Sequence, residues 1–526
     1  MFNSKVQGWK AGGYGLGLLI LALGLALFSN SGVSISGWPS YSLMLLVAFG
    51  LMYWGWRSIR ADSPPSWLHT ALIIAFTLRL VAGVFWTLAL PAWGYDTPVQ
   101  NAGYIMADAY DRDHAAWELA QSDLPLTSAF QNFSASDQYG GLLYLSALIY
   151  RFIGGGSHQP LLMVILTASI SSLAVLFAWA FSRRIWGDTA ARMAAWMLVI
   201  YPEAVLLGSS QMREAFMVTL AAGAFYALLR LRDGLSWKGG IWLAVPILLS
   251  LPLSFPFFVL LMGGLIFTAF VMDDWRVLRA KWFWGAAAIG IILLIAASAA
   301  GWVDFARLWP FQAVRWQAFY SQSASGWIQR TFERLPEGME WVQIPFLVLY
   351  GVFRPLLPAS FFDGIPLLRA VAIWRALGWT ALLALLFYAT FMAVRSLRKE
   401  GVTFTILLLI WALILAASLR GGGDQWDNPR YRSAFAALQV GAAAWALFQR
   451  RETNDPWFRR AVVGTIVMVV WFVPWYLRRY SDFTWPLVAL HQTIGMGLLS
   501  TFLFVLWDWI RELNGKQEMS RNGVGE

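Results

Sequence analysis

The sequence predicts an all-α, polytopic membrane protein with about fourteen transmembrane helices, and three observations predict it. Hydrophobic residues fill 59% of the 526 positions and charged residues only 13%. Residues 11–56 carry no charge at all, whereas a helix needs only about 20 apolar residues to cross a bilayer. Lys and Arg are gathered into clusters separated by apolar runs: Lys5/Lys10, Arg57/Arg60, Arg183/Arg184, Arg230/Arg232/Lys238, Arg276/Arg279/Lys281, Arg395/Arg398/Lys399, Arg450/Arg451/Arg459/Arg460 and Arg511/Lys516. Such clusters mark cytoplasmic loops, so the net charge of +10 reads as topology and not as a nucleic-acid footprint. The chain has no cysteine, which excludes disulfides, thiolate metal sites and thiol nucleophiles.

Spans are expected at roughly 12–29, 40–56, 68–91, 160–181, 190–208, 213–231, 239–252, 255–272, 283–300, 368–394, 402–418, 432–449, 459–477 and 485–509. The first follows Lys5 and Lys10 as a signal peptide would, but no A-x-A-like site follows it, so it reads as a retained anchor. Both termini are then cytoplasmic in a plasma (inner) membrane protein. The long loops 92–159 and 301–367 are extracytoplasmic, as are the short loops 209–212 and 419–431. Residues 139–153 and 341–357 are apolar enough to span marginally. A crossing at either would turn a basic loop outward, so both are expected as amphipathic helices lying in the interface. The chain divides into an N-terminal pair of helices (1–66), a membrane core (67–450) and C-terminal helices with a cytoplasmic tail (451–526). Tryptophans near the span ends, such as Trp54, Trp56, Trp93, Trp237 and Trp282, read as an interfacial belt.

Polar chemistry concentrates in the first long loop. Asp108, Asp111 and Asp113 stand at i, i+3 and i+5 in MADAYDRDHAAWELA, at the start of an expected helix whose positive end favours carboxylates. Asp108 and Asp111 should share a face, with Asp113 turned away from it. Acids so placed act as general base toward a hydroxyl or hold a divalent cation, and Asp111 with Asp113 is the expected metal pair, for Mg or Mn; the alternative is an N-cap with solvated helix charge. On the same side, Arg420, Arg430 and Arg432 flank the Gly-rich turn RGGGDQWDNPRYR, and Arg213 with Glu214 heads another span. Outer-side arginines suit a phosphate whose charge grows as it leaves, the alternative being local pairing with Asp424 and Asp427. Arg307, Arg315, Arg330 and Arg334 lie among acids and read as solvated charge. His69, His114, His158 and His491 are scattered without metal spacing, and no phosphate-loop motif occurs.

An Asp-bearing loop after an early span, a Leu/Tyr-rich segment ending YRFIGG, and a span followed by RRIWG resemble the GT-C fold of polyprenyl-phosphate-sugar-dependent glycosyltransferases of families 39 and 83. The resemblance covers roughly residues 70–450. It puts Asp108 and Asp113 on the family's loop acids, with Arg112 where the family has Tyr, and Asn428 to Ser433 on its late R-Y-R-x-P element. Gln138-Tyr139-Gly140-Gly141 stands where the family has Pro-Pro. The resemblance implies a GT-C-like core that moves a sugar from a polyprenyl-phosphate donor to a glycan, lipid or protein acceptor. The partners would be donor, acceptor and bilayer, with no nucleic acid. Two other readings stay open: an oligosaccharide polymerase or ligase of the same architecture, and a lipid-linked glycan transporter or flippase, for which Arg79 and Arg375 supply mid-span charges.

Overall fold

A computed structural model describes residues 17–28, 37–271 and 338–522, apart from 134, 235, 363, 397–400, 422–426, 482, 485 and 487–488, with scattered residues between 272 and 337; only backbone is described at 340, 427–428 and 515–522. Most of the expected span at 283–300, and the residues Arg307, Arg315, Arg330, Arg334 and Asp424, lie outside the described residues.

The described residues form helices and no strand. Helix α1 (Gly17–Phe28) precedes α2 (Trp38–Ser58) and α3 (Ser66–Trp93). Two short helices, α4 (Ala107–Gln121) and α5 (Gly141–Phe152), lead to α6 (Leu161–Ile200), α7 (Pro202–Gly208) and α8 (Arg213–Asp233). After α9 (Trp237–Leu253) and α10 (Phe255–Val271) come α11 (Gln343–Phe353), α12 (Pro366–Arg395) and α13 (Gly401–Gly421). The chain closes with α14 (Asp427–Ser433), α15 (Ala436–Thr453), α16 (Pro456–Tyr480) and α17 (Leu490–Asn522).

Helix α6 is the centre of the bundle. Its 40 residues would reach about 60 Å if straight, twice a bilayer core. It doubles back at Gly187, where φ is 84° and ψ −179°, a conformation open to glycine and costly for other residues. Ser171 and Leu198, on opposite sides of that bend, both meet the Arg79 guanidinium, so the two limbs lie side by side. The expected spans at 160–181 and 190–208 are thus the limbs of one hairpin, with Arg183 and Arg184 near its tip. Surrounded by α2, α3, α8 and α15, the hairpin has a first limb buried on nearly every face, which is why that limb shows no polar stripe.

The second limb ends where a backbone partner is missing. Pro202 has no N–H, so the carbonyl of Leu198 loses its helical donor. Arg79 Nη2 supplies one at 3.3 Å, while its Nε donates to Ser171 Oγ at 2.9 Å and its Nη1 to the Ala75 carbonyl at 3.0 Å. Gly208 makes room for that side chain, because a Cβ there would stand 2.7 Å from Arg79 Cδ. A charged residue inside an apolar bundle is tolerated when it is hydrogen-bonded, and here each of the three guanidinium nitrogens donates.

The two ends of the bundle differ in charge. The 21 residues of α8 span about 32 Å, one bilayer core. At its far end Asp233 pairs with Arg184 (2.6 Å), which also holds Asp62 (2.6 Å), itself bonded to Tyr226. This end carries the basic clusters at 57–60, 183–184 and 230–232. At the near end Arg213 meets the segment running from α4 to α5.

Among the described residues, seven helices are long and apolar enough to cross a membrane: α3, α6, α8, α12, α13, α16 and α17 to residue 514. Of the other expected spans, five fall on α1, α2, α9, α10 and α15, which are shorter or more polar, two share α6, and most of 283–300 lies outside the described residues. Helices α9 and α10 have 17 residues each, with a break at Ser254 between Pro252 and Pro256, and the expected span at 432–449 is interrupted between α14 and α15. Helices α5 and α11 hold 12 and 11 residues, about 18 and 17 Å of rise. Both are too short to cross, as expected for 139–153 and 341–357.

Arg79→Met should leave the Leu198 carbonyl and Ser171 without their donor and lower unfolding stability by about 1–3 kcal/mol. Denaturant titration of the detergent-solubilised protein reads this directly, and a wild-type midpoint would show that Arg79 does not support the break at Pro202.

Candidate active site

Helix α4 presents its acids on different sides. Asp108, in the first turn, is 47% exposed, and its Oδ2 accepts from Arg430 Nη1 at 2.6 Å. Asp111 is exposed. Asp113 is buried on another face, its side chain only 1% accessible. Its Oδ2 accepts from the Tyr104 hydroxyl at 2.5 Å and lies 2.7 Å from His158 Nε2, while its Oδ1 accepts from the Tyr150 hydroxyl. Burial, then the adjacent carboxylate, raises the pKa of both tyrosines well above the ordinary value, so both are protonated donors at neutral pH. Asp113 therefore ties together the turn before α4, α4 itself, α5 and the approach to α6. The ring of His158 completes the packing, stacked on Trp117 at 5.4 Å.

This geometry corrects the expected metal pair. Both oxygens of Asp113 already hold protein donors, and Asp111 lies on another face. No three His, Asp or Glu side chains converge among the described residues. The donor set does not fit a divalent cation, and no step of the chemistry is derived through one.

Asp108 belongs to a separate cluster built where four segments meet. From α4, one turn on, comes Arg112; from the approach to α5, Asp137 and Tyr139; from the head of α8, Arg213 and Glu214; from α13 and α14, Arg420, Arg430 and Tyr431. Asp137 organises one side of it. The carboxylate stands 3.5 Å from Arg112 Nε and 3.7 Å from Arg213 Nη1, and accepts the backbone N–H groups of Tyr139 (3.3 Å) and Leu143 (3.2 Å). It is at once the counter-ion of two arginines and the acceptor for a donor in the first turn of α5. Arg112 also donates to the carbonyl of Gln211 at 3.4 Å. Glu214 lies 3.5 Å from Arg430 Nε and 3.8 Å from Arg213 Nε, and its buried oxygens accept no hydrogen bond among the described residues. Two tyrosine rings separate the cations: Arg213 lies over Tyr139 at 5.0 Å, and Arg420 and Arg430 over Tyr431 at 4.8 and 5.1 Å. Cation–ring contacts of this kind are favourable when desolvated.

The Gly140-Gly141 pair that departs from the family pattern has a local cause. Gly140 takes φ +73°, and a Cβ on Gly141 would stand 2.2 Å from the carbonyl oxygen of Pro252. Close approach of backbone to backbone seats α5 against the end of α9, and any side chain at 141 would lift it off.

Four guanidiniums (Arg112, Arg213, Arg420, Arg430) thus face three carboxylates (Asp108, Asp137, Glu214), a surplus of one positive charge among the described side chains. Burial works against ionisation of Asp108, but Arg430, with Arg112 and Arg213 behind it, wins and holds the carboxyl below its ordinary value. The arrangement can hold an anion at the Arg430 edge, with a solvent-accessible carboxylate beside it.

Arg432 is elsewhere. Two positions along α14 turn it about 200 degrees from Arg430, and it lies buried over Trp379, 3.4 Å from the ring centre, with Nη1 3.5 Å from the Gly351 carbonyl. Nearby, Arg375 makes two 2.8 Å bonds to Glu203. The expectation that Arg432 shares the phosphate with Arg430 is corrected by this helical phase.

No family model matches the chain, and no curated protein matches it. Among solved structures the chain is similar to the archaeal oligosaccharyltransferase AglB from Archaeoglobus fulgidus in complex with an inhibitory peptide and a dolichol-phosphate. Identity is 15%, coverage is 85% of this chain and 55% of that chain, and the TM-score is 0.39. It is likewise similar to the Archaeoglobus fulgidus oligosaccharyltransferase in the apo form, at 16% identity, the same coverage and a TM-score of 0.40. The chain spans about half the length of these structures. A likeness of this size assigns neither activity nor residues.

Asp113→Asn should break a fully buried set of hydrogen bonds and lower stability by about 1–3 kcal/mol, with faster amide exchange in 102–158. Exposed Asp111→Asn should change neither. Because the folded pKa of Asp108 is depressed, the contribution of its pair to stability is complete above its unfolded value near pH 4 and is lost only as pH falls through the depressed value. Being half exposed, the pair is worth less than about 1 kcal/mol, so Asp108→Asn should melt within a few degrees of wild type at pH 7; a large drop would mean that Asp108 is a structural residue.

Proposed function

We propose that the protein is a membrane glycosyltransferase that moves a sugar from a polyprenyl-phosphate carrier to an acceptor hydroxyl at the extracytoplasmic face. The observation that carries this reading is the 2.6 Å contact of a half-exposed carboxylate, Asp108, with Arg430, at the end of the bundle remote from the basic clusters. A transferase of this class needs those two functions side by side.

In the proposed reaction Asp108 takes the proton of the acceptor hydroxyl, whose oxygen attacks the anomeric carbon. The bond from that carbon to the phosphate oxygen breaks, and its electron pair stays on the phosphate. Arg430, with Arg213 and Arg420, stabilises the charge that appears there, as fixed donors do at a developing anion. Glu214 and Asp137 keep the guanidiniums in place, and Asp113 acts as a positioning residue through α4. Transport is less well supported than the sequence reading allowed, because its mid-span charges have structural uses: Arg79 serves backbone carbonyls and Arg375 pairs with Glu203.

Purified protein given a panel of polyprenyl-phosphate sugars should consume at least one of them. Asp108→Asn should slow transfer about 100-fold or more. Arg430→Ala should cost about 2–4 kcal/mol of transition-state stabilisation, and Arg430→Lys should fall between, keeping charge but not the planar fork. Turnover at wild-type rates in both Asp108→Asn and Arg430→Ala would remove the assignment. Topology has its own check: single cysteines at Ser122 and Ser136 in this cysteine-free chain should react with an impermeant thiol reagent in intact cells, and reaction only after permeabilisation would put the site on the wrong face.

A further inference from the structure

Arg430 is shared unequally. Toward Glu214 it presents Nε at 3.5 Å, and that carboxylate is 1% exposed and fixed in the first turn of α8. Toward Asp108 it presents Nη1 at 2.6 Å, and that carboxylate is 47% exposed. Glu214 has no water to turn to. Asp108 does, so it is the partner that can be displaced at small desolvation cost. A donor phosphodiester arriving at Arg430 carries one negative charge, as the carboxylate does, and its two non-bridging oxygens can replace Asp108 on the guanidinium fork; the second charge that appears on the phosphate during transfer makes that pair the stronger of the two.

We infer that Asp108 and the donor phosphate compete for Arg430, so that the carboxylate is held in an ion pair until the donor arrives and is released to serve the acceptor only then. This rests on the reading under Proposed function and adds a binding order to it. With Arg430 occupied by Asp108 Oδ2, the carboxylate is a weak base and one of its oxygens is engaged. The phosphate takes over the guanidinium, Asp108 turns to solvent, and its free lone pair faces the incoming hydroxyl. When the carrier phosphate departs after transfer, the pair re-forms. The donor binds first, and an acceptor entering the empty site meets no active base.

The competition has a consequence opposite to that expected of a residue that simply helps to bind: removing Asp108 should tighten phosphate binding. The test is equilibrium binding of a C55 polyprenyl phosphate without sugar to the full-length protein in nanodiscs, with the C55 alcohol as the uncharged control. Asp108→Asn should bind the phosphate about 5-fold to 20-fold more tightly than wild type, Asp108→Glu close to wild type, and Arg430→Ala at least tenfold more weakly. Adding Asp108→Asn to Arg430→Ala should give no gain, because the gain works through Arg430. Equal or weaker binding by Asp108→Asn overturns the exchange. So does a gain that persists in the Arg430→Ala background, which would be a general field effect. Wild-type protein that binds phosphate and alcohol alike overturns the glycosyltransferase reading itself, and the exchange with it.

Discussion

A guanidinium carried into an apolar helix bundle must bring its counter-charge with it, because isolated buried charge costs several kcal/mol even after relaxation. At the end of this bundle remote from the basic clusters four such groups meet, and most of the local architecture follows from pairing them. Asp137 holds Arg112 and Arg213 together. Glu214 sits between Arg213 and Arg430. Asp108 closes the set from the solvent side. The count leaves one positive charge over among the described side chains, and the partner with the least to lose by leaving is also the one best placed to act as a base.

The cluster depends on distant features of the chain. Arg213 and Glu214 head α8, which follows the break at Pro202 after α7 and the turn 209–212, and that break is supported from α3 by Arg79. Arg430 is aimed inward by the phase of a seven-residue helix whose other face sends Arg432 under Trp379. Asp137 is set by the start of α5, which Gly140 and Gly141 allow to seat against Pro252. The Asp113 network fixes α4 against α5 without touching the arginines, so the position of Asp108 is secured from behind by Tyr104, Tyr150 and His158.

Much of the fold was legible in the sequence because bilayer length and basic clustering are strong, local signals. The hairpin of α6, the short helices near 141–152 and 343–353, and the separation of basic loops from the acidic loop all follow from them. The break at Ser254 falls between the expected spans 239–252 and 255–272, whereas the interruption of the expected span 432–449 between α14 and α15 has no hydropathy signal. Of the site, Asp108, Arg213, Glu214, Arg420 and Arg430 were identified from their place in outer loops, and the structure brings them together. Asp137, Tyr139, Tyr431 and His158 were missed. Asp137 had a readable signal, an acid shortly before a Gly-Gly helix start, but its arginine partners are 25 or more residues away and only folding reveals them. Arg432 stands two positions from Arg430 in sequence but on the other side of the helix, and the three hydrogen-bond partners of Asp113 come from segments that no spacing rule connects to it.

The most direct measurement is an experimental structure of the full-length protein in nanodiscs with a C55 polyprenyl phosphate bound. The phosphate is predicted to lie within hydrogen-bond distance of Arg430, with Arg213 or Arg420 as a second contact and the Asp108 carboxylate moved off the guanidinium. A phosphate held at the Arg183/Arg184 end, or bound with the Asp108–Arg430 pair intact, would contradict that prediction.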